Sequence, residues 1–600
     1  MHRKQKIFGF VWIAVLVFLH QCAHVVAPSG GPRDETPPRI IESNPPLQAT
    51  NFKSGKITIE FDEYIQLKDM NSNLLVSPPM EEEPEITVKG KTLHIELLSD
   101  LQDSTTYNIF MGDAVCDYNE ANPISNFQYV FSTGEYIDSM VVEGKVLSAF
   151  NLRPIEDVKV MLYREMDDSI PYKEIPQYIA STDEEGRFRI NNIRKDEYRM
   201  FALEDQNSNY LFDIPNERIA FLDSLVNFSM QEIIVSDTVF ATVPVDSSGI
   251  MVERTDSSTI DTVITTSYTG FPINEYYLLM FEEVVNNQYL KTSSRPLREK
   301  VEVVFNKELL DTFSIELLGK DTMQLVENWY FAERPHLNDT LHFWLKDTAL
   351  IAKKDINLVL RYPLLDSLDT RIEQQDTIRL SYNTEEPDTL DLKVKTNLDG
   401  SRFDLENSIR IQTDYPINSI DTSKIRIVKR RDSLLLSVNY AYKVDSLNLR
   451  NLNIYADFEP DSSYQLTIYP HGFKDIYGHL NKDTLQVSFR MQSADYYGQL
   501  IMQMTNPDSS QLILQVLETK EEEKILREQL VPAGNGKIVF SMMHPGEYLL
   551  KAIKDINGNG EWDTGDYLNK KQPEAIFYYK EKVKVRSNWD VEINWQLKPE

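Results

Sequence analysis

The stretch TLHIELLSDLQDSTTYNIF (residues 92–110) decides the fold, and LNIYADFEPDSSYQLTIY (452–469) repeats its pattern. In both, apolar and polar residues alternate, an Asp- and Ser-rich turn follows, and alternation resumes after a tyrosine, Tyr107 or Tyr464, six residues beyond a Leu or Phe. Period-two alternation is typical of a strand that buries one face. Each stretch therefore predicts two half-buried strands separated by a turn.

The same alternation recurs along the chain, with no long stretch of apolar residues at helical spacing beyond the N-terminal segment. Examples are ITIEF (57–61), KVEVVF (300–305), INLVLRY (356–362) and IRIQT (409–413). Polar turns separate these strands at short intervals, which favours β-sandwich packing. Because single cores stop growing at roughly 250 to 300 residues, a chain of 600 residues predicts several domains. The expected fold class is all-β.

The repeat extends to whole domains. Around the two opening stretches lie, in matching order, PPRIIESNPP (37–46), ITIEFDEYIQL (57–67) and FQYVFSTG (127–134) in the first copy, and IRIQTDYPIN (409–418) and LQVSFRM (485–491) in the second. This pattern resembles the bacterial Ig-like domains first associated with S-layer proteins, over residues 36–136 and, in a more divergent form, 387–494. The resemblance implies a seven-stranded sandwich used as a spacer or presentation module.

A different matched unit follows each of these copies. The first runs from VVEGKVLSAF (141–150) to the strand after Tyr198, and the second from YGQLIMQMTN (497–506) to GEYLLKAIKD (546–555). The residues that carry the pattern are Gly144, Pro154, Gly186, Phe188 and Tyr198 in the first unit and Gly546 and Tyr548 in the second. These units resemble the carboxypeptidase regulatory-like, prealbumin-type sandwich.

The resulting domain prediction divides the chain into eight segments. They are a signal peptide (1–21), a tether (22–36), an Ig-like domain (37–136), a carboxypeptidase regulatory-like sandwich (140–243), a Ser-, Thr- and Asp-rich linker (244–269), a third β domain read as Ig-like (270–385), an Ig-like domain (387–494) and a second carboxypeptidase regulatory-like sandwich (495–600).

The N-terminus predicts export. Basic residues precede IFGFVWIAVLVFL (7–19), whose thirteen apolar residues are too few for a bilayer span, which needs roughly 20. Leu19 and Cys22 resemble the lipobox of bacterial lipoproteins, which implies that the Cys22 thiol carries a lipid. Gln21 departs from the small residue usual in that family. The alternative interpretation is an ordinary secretory signal in which Cys22 is incidental.

The amino-acid composition limits the classes of partner that the chain is expected to bind. A formal charge of −31 argues against nucleic acid, whose phosphates require clustered Lys and Arg. Cys116 is the only other cysteine, so lipidation of Cys22 would leave no intrachain disulfide. The segment after Cys22 would tether the body up to roughly 50 Å from a membrane. The residues that follow Cys22 lack an acidic run, which favours a periplasm-facing outer-membrane lipoprotein over a surface-exposed one.

The sharpest local motif follows the predicted strand EYLLKAIK (547–554). Its oxygen-bearing side chains fall at loop positions 1, 3, 5, 9 and 12, the glycine at position 6 is Gly560, and a backbone carbonyl is available at position 7. This spacing resembles an EF-hand calcium loop. The predicted Ca²⁺ ligands are Asp555, Asn557, Asn559, Glu561, Asp563 and Asp566. The alternative is an Asx-rich turn that satisfies its own backbone.

The equivalent loop of the earlier unit is a weaker candidate. Its matching residues are Asp205, Asn207, Asn209 and Asp213. Tyr210 replaces the glycine and Asn216 supplies no charge at position 12, so the structural interpretation is favoured there.

Catalytic motifs are missing from the sequence: it contains no H-E-x-x-H, G-x-S-x-G, P-loop or Rossmann fingerprint. The predicted function is therefore non-enzymatic, as a lipid-anchored envelope protein with a structural, adhesive or assembly role. A glycan-binding accessory lipoprotein of a polysaccharide-uptake system is the alternative, and a hydrolase ranks third.

The lipid anchor leads to the first prediction. In cells fed a fatty-acid analogue, the wild-type chain should become labelled and Cys22→Ala should not, because the thiol is the acceptor. Cys116→Ala is the matched control and should keep the label. A Cys22→Ala chain that retains the label would refute the anchor.

Overall fold

The computed structural model describes residues 34–214, 216–228, 231–240, 260–270, 274–284, 288–309, 313–318, 329–333, 339–365, 371–382, 391–432, 434–506, 510–519 and 523–597. Cys22, the predicted signal peptide and most of the predicted tether lie outside these ranges. The described residues divide into two compact units. The first reaches Met280, apart from residues 149–152 and 214–216, which belong with residues 281–600 to the second. None of the helices in the described ranges has the length and hydropathy of a membrane-spanning segment.

The first unit begins with a sandwich of nine strands. They are β1 (Ile40–Asn44), β2 (Lys56–Phe61), β3 (Ile65–Leu67), β4 (Leu75–Ser77), β5 (Glu85–Lys89), β6 (Thr92–Glu96), β7 (Thr106–Gly112), β8 (Val115–Asp117) and β9 (Phe127–Ser132), with a short helix α1 (Met70–Asn73) before β4. The sheet β1-β2-β6-β5 and the sheet β4-β7-β9 enclose the core, and β3 pairs with β8. Alternate residues of β2 and β6 are buried, as their period-two sequence predicts.

The remaining strands of this unit follow in chain order. They are β10 (Met140–Ser148), β11 (Lys159–Tyr163), β12 (Tyr178–Ser181), β13 (Arg187–Ile193), β14 (Arg199–Leu203), β15 (Arg218–Phe221), β16 (Gln231–Phe240), β17 (Ile260–Gly270) and β18 (Glu275–Glu282), with a 3₁₀ turn at Ile170–Tyr172. The sheet order is β12-β11-β14-β15-β18-β10-β13, and β16 pairs with β17.

Two of these strands differ from the sequence prediction. β17 falls inside the predicted linker 244–269, and its backbone pairs along its length with β16. β18 falls inside the predicted third domain, yet it pairs in parallel with β10 of the preceding sandwich. Parallel partners are distant in sequence, so no local turn signal reveals them.

The second unit starts with seven strands of the same arrangement as the first sandwich. They are β19 (Leu290–Leu297), β20 (Lys300–Phe305), β21 (Ser314–Leu317), β22 (Tyr330–Glu333), β23 (Thr340–Leu345), β24 (Asp355–Leu365) and β25 (Arg371–Ser381), with helix α2 (Thr348–Ala352) before β24. Their sheets β19-β20-β23-β22 and β21-β24-β25 reproduce, strand for strand, β1-β2-β6-β5 and β4-β7-β9.

The arrangement occurs a third time in residues 391–491. The strands are β26 (Val394–Thr396), β27 (Arg402–Phe403), β28 (Ile409–Thr413), β29 (Ile417–Ile420), β30 (Ile425–Arg431), β31 (Leu434–Ser437), β32 (Ala441–Val444), β33 (Asn451–Tyr455), β34 (Ser463–Ile468), β35 (Phe473–Asp475) and β36 (Leu485–Met491), with a 3₁₀ turn at Thr422–Lys424. The sheets are β26-β28-β33-β32 and β27-β36-β34-β30-β31, and β29 pairs with β35 as β3 pairs with β8. The strands β27 and β31 are additions to the shared order.

The last eight strands repeat the order of the second sandwich. They are β37 (Gly498–Thr505), β38 (Gln511–Glu518), β39 (Ile525–Val531), β40 (Asn535–Met543), β41 (Gly546–Asp555), β42 (Ile576–Tyr578), β43 (Val583–Val585) and β44 (Asp590–Gln596), after a 3₁₀ turn at Ala494–Tyr496. β37 pairs antiparallel with β40 and parallel with the final strand β44, as β10 does with β13 and β18. The sheet β39-β38-β41-β42 matches β12-β11-β14-β15.

A buried tyrosine anchors a turn in two of the three sandwiches that share the first strand order. The Tyr107 hydroxyl accepts the Gln102 N–H at 2.8 Å, and the Tyr464 hydroxyl accepts the Glu459 N–H at the same distance. In the other sandwich type the hydroxyl donates instead, from Tyr198 to the Arg194 carbonyl. The tyrosines that mark the sequence repeat therefore fix the same turn in matched copies.

Gly144 leads to the second prediction. A Cβ at this position would lie 1.9 Å from the Tyr276 carbonyl oxygen of the adjacent parallel strand. Gly144→Ala should therefore destabilise the β10–β18 pairing by about 3 kcal/mol, the cost of overpacking against backbone. Gly536→Ala, in the strand β40 with nothing within 4 Å of the added Cβ, is the control. Hydrogen exchange of the β10 amides measures the effect, and equal protection in both variants would contradict it.

Candidate cation loops

The loop between β41 and β42 is organised by its first aspartate. Asp555 is buried, and its carboxylate accepts the backbone N–H of Gly558 at 2.6 Å and of Gly560 at 2.9 Å. The Gln511 side chain donates to the same carboxylate at 3.0 Å. Gly560 has φ +81°, the left-handed conformation that the tight turn requires. Asp555 therefore sets the shape of the loop from the end of a core strand.

Three more predicted ligands converge further along this loop. The side-chain amides of Asn557 and Asn559 both donate to Oδ2 of Asp563, the latter at 3.1 Å. Their carbonyl oxygens accept backbone N–H groups two residues ahead, as in an Asx turn. The spacing of 3, 5 and 9 predicted from the sequence does bring these three side chains together.

The two remaining predicted ligands lie elsewhere. The Asp566 carboxylate accepts the backbone and side-chain N–H groups of Asn569, and its own backbone pairs with Lys571. Glu561 is exposed, and its N–H donates to Asn559. The twelve-residue spacing fails because the chain turns at Asp566 into a separate local bridge.

A buried glutamate outside the motif also contacts this loop. Glu574 is 2% exposed and accepts the Ile556 N–H at 2.7 Å and the Asp563 N–H at 3.1 Å. This residue could not be predicted from the motif, because it lies eight residues beyond Asp566, the last position of the motif. A comparison of the two loops in the sequence could have identified it. Glu574 and Glu217 each lie two residues before an Ile of the next strand.

The loop between β14 and β15 has the same construction. Asp205 accepts the Tyr210 N–H at 2.8 Å, while the amides of Asn207 and Asn209 donate to the two oxygens of Asp213, at 3.1 and 2.8 Å. Fully buried Glu217 accepts the N–H groups of Gln206 and Asp213. Tyr210 adopts φ +60°, so the turn keeps its left-handed residue without glycine.

This geometry bears on what the loops can bind. Each places two carboxylates and two amide side chains around one turn, the oxygen ligands that Ca²⁺ prefers. In the form described, the amide nitrogens of Asn557 and Asn559 donate to the carboxylate that a cation would contact. Among the residues described, no group of three or more His, Cys, Asp or Glu side chains has the arrangement of a metal site. Calcium would therefore need the amide and backbone oxygens.

A second type of acidic turn also recurs. Asp117, at the end of β8, is buried and accepts four backbone N–H groups, from Asn119, Glu120, Ala121 and Asn122. Asp475, at the end of the matching strand β35, accepts the N–H groups of Tyr477 and His479 and also contacts the His479 ring. Burial alone would raise the pKa of the Asp117 carboxyl, but the four donors outweigh it and hold the pKa below its usual value.

The lowered pKa of Asp117 leads to the third prediction. A carboxyl whose folded pKa lies below the unfolded value of about 3.9 contributes stability above that pH and loses it as the pH falls through the folded pKa. Asp117→Asn should therefore cost about 2 kcal/mol near neutral pH and less in acid. Calorimetric melting across that pH range measures the difference. Exposed Asp103→Asn is the control, and a pH-independent cost for Asp117→Asn would contradict the prediction.

The second cysteine of the chain is buried in the first sandwich. Cys116 is a buried free thiol on β8, and burial raises its pKa above the ordinary thiol value. A raised pKa keeps the sulfur protonated and unreactive at neutral pH.

Comparison with known proteins gives a family match over part of the chain. Residues 34–133 match the family described as bacterial Ig-like domain. No protein in the curated comparison matches the chain.

Three solved structures are among the matches to this chain. The major pilin subunit BcpA of Bacillus cereus is 10% identical, with 76% of this chain and 98% of the pilin covered and a TM-score of 0.12. The S-layer protein rSbsC(31-844) is 8% identical, with 92% and 67% covered and a TM-score of 0.14. The titin I-band fragment I67-I69 is 9% identical, with 45% and 94% covered and a TM-score of 0.11.

Proposed function

We propose that this chain is an exported, lipid-anchored outer-membrane protein whose repeated sandwiches serve a structural, adhesive or assembly role without catalysis. The observation that carries the proposal is the recurrence of one strand order three times and of a second order twice. The three strand sets with the first order each enclose their own core. Modules with separate cores are typical of spacers, because length can be added without rebuilding a shared core.

The family match supports the same conclusion. Residues 34–133 belong to a bacterial Ig-like family, and a lipid on Cys22 would hold that domain to a membrane through the short tether. The remaining sandwiches would then extend the anchored module. We further propose that the two sandwiches with the second strand order are of the carboxypeptidase regulatory-like type, on the residues that the sequence repeats.

Fractionation of cells tests the location. The wild-type chain should sediment with the outer membrane, and Cys22→Ala should appear in the soluble periplasmic fraction. Protease added to intact cells should leave a periplasm-facing chain uncut. Equal membrane retention of Cys22→Ala would overturn the anchored form of the proposal.

The glycan-binding alternative has one observation in its favour. A polar cavity of about 400 Å³ in the second unit is lined by amide and charged side chains together with Tyr496. Many of these groups are already paired, as in the contact of His544 with Asp404 at 2.6 Å. A glycan array separates the two functions: the structural role predicts no selective binding, and a selective signal abolished by Tyr496→Ala would favour the alternative.

We also propose that Ca²⁺ stiffens the two loops rather than taking part in a reaction. The fixed points are the first aspartate and the buried glutamate of each loop, which hold the turn between two core strands. A cation there would tie the loop to its strands and raise the free energy of unfolding of that sandwich. Binding would raise the free energy of unfolding by about 2.7 kcal/mol when the Ca²⁺ concentration is a hundred times the dissociation constant.

Calcium leads to the fourth prediction. Addition of Ca²⁺ after chelation should raise a melting transition by several degrees, at about 4 °C or more per kcal/mol for a domain of roughly 100 residues. Asp563→Asn and Glu574→Gln should reduce the shift, whereas Asp566→Asn should keep it because Asp566 lies outside the cluster. Differential scanning calorimetry with a chelator arm measures this. No shift in the wild-type chain would refute calcium binding, and loss of the shift only in Asp566→Asn would refute the structural ligand set.

A further inference from the structure

The most unusual surface of the second unit is the β30–β31 hairpin. Leu434, Leu435 and Leu436 are 64%, 53% and 46% exposed, although they are consecutive apolar residues of a strand. Single exposed leucines are ordinary, but a contiguous exposed group on a sheet edge marks an interaction site. We call Arg430, Arg431 and these three leucines the hairpin tip.

The hairpin tip is an addition to a shared fold. In the first sandwich β4 is the edge strand of its sheet, whereas in the third occurrence of this order the matching strand β30 carries the extra edge strand β31. β30 pairs with β34 only as far as Arg430 opposite Ser463, and the last pair of the hairpin, Arg431 with Leu434, lies beyond the end of β34. The last pair of the tip, Arg431 with Leu434, therefore extends past the strand that supports the hairpin.

The leucines occupy both faces of the hairpin. Leu435 lies opposite Arg430, while Leu434 and Leu436 lie opposite Arg431 and Lys429. Successive side chains of a strand point to opposite faces, so a flat partner on one side would leave part of the group in water. An occupant that surrounds the tip from both sides fits this arrangement better.

The charge of the hairpin is opposite to that of the chain. Residues 424–438 contain five Lys or Arg residues and one acid, Asp432, against a net charge of −31 for the whole protein. Glu459 forms an ion pair with Lys429. Arg430 and Arg431 are both exposed beside the leucines. Pairing with β31 of a second copy would bring two basic hairpins together, which like-charge repulsion opposes.

We propose that the hairpin tip inserts into the interfacial region of an anionic phospholipid bilayer. The leucines enter the boundary between headgroups and acyl chains, and the arginines contact lipid phosphates while their stems lie along apolar surface. This contact goes beyond the proposed structural role and needs no lipid on Cys22. It would give the chain a second membrane contact, in its third Ig-like strand order.

Vesicle sedimentation tests the proposal with the chain from residue 22 onward and Cys22→Ser, which removes the acyl chain but retains every described residue. This chain should bind vesicles of phosphatidylcholine mixed with phosphatidylglycerol, and should bind phosphatidylcholine alone weakly. Binding of so acidic a protein to anionic vesicles requires a local basic surface, and added salt should weaken it.

Matched variants locate the contact. Arg430→Gln with Arg431→Gln should lower the partition coefficient roughly tenfold or more, since each basic residue near an anionic surface contributes about a fivefold factor. The charge-matched control is the double variant Lys395→Gln with Arg410→Gln, whose two positions are exposed in the same sandwich. This variant should leave the partition coefficient unchanged. Replacement of the three tip leucines by Ser should lower binding by roughly tenfold or more. The control variant replaces three leucines of comparable exposure by Ser, namely Leu447, Leu530 and Leu568.

Three results would overturn the proposal. The first is no binding to anionic vesicles, and the second is binding that the tip variants and their controls reduce equally. The third is concentration-dependent dimerisation in sedimentation equilibrium that the leucine variants abolish without an effect on vesicle binding, which would assign the tip to a second copy. A dye on Leu435→Cys that shifts to shorter emission wavelengths on anionic vesicles would support insertion, and buried Cys116 leaves this position as the accessible thiol.

Discussion

Burial of alternate side chains between two facing sheets is the constraint on which every sandwich of this chain depends. A strand such as β2 buries Ile57, Ile59 and Phe61, and the residues between them face water. The apolar face of its sheet must therefore be covered by a second sheet, while the other face stays in contact with solvent. The same solution is reached repeatedly, with a four-stranded sheet opposite a sheet of three or five. A buried tyrosine hydroxyl then fixes the turn before a core strand, as at Tyr107 and Tyr464.

The candidate cation loops follow from that constraint. Both loops connect neighbouring core strands, β14 with β15 and β41 with β42, so their first aspartate is held at a strand end. The buried glutamates Glu217 and Glu574 close the turns from the other side by accepting backbone N–H groups. An acid buried at such a point is stabilised by hydrogen bonds in place of water. The loops therefore hold their oxygen atoms in fixed positions, even when those atoms accept hydrogen bonds from the backbone of the same loop.

Differences between copies point to specialisation on a shared scaffold. The hairpin β30–β31 extends one edge of the third Ig-like strand order, where the first has only the short strand β4. Because an edge strand contributes one side of its backbone to the sheet, it can be lengthened without disturbing the core. Ile425 and Ile427 of β30 remain in the core while the leucines beyond them are exposed. A membrane contact could therefore be added to a spacer module at little cost to its stability.

The sequence by itself determined the all-β class and the short spacing at which Asn557, Asn559 and Asp563 contact one another. These features depend on local periodicity and short spacing, which act within a few residues. Only the tertiary structure decided that Glu574 accepts backbone N–H groups of the cation loop, that β18 pairs in parallel with β10, and that Leu434 to Leu436 lie on an open edge. Each of these depends on which distant strands become neighbours. That choice is made by the burial of whole faces, a property that no short stretch of sequence carries.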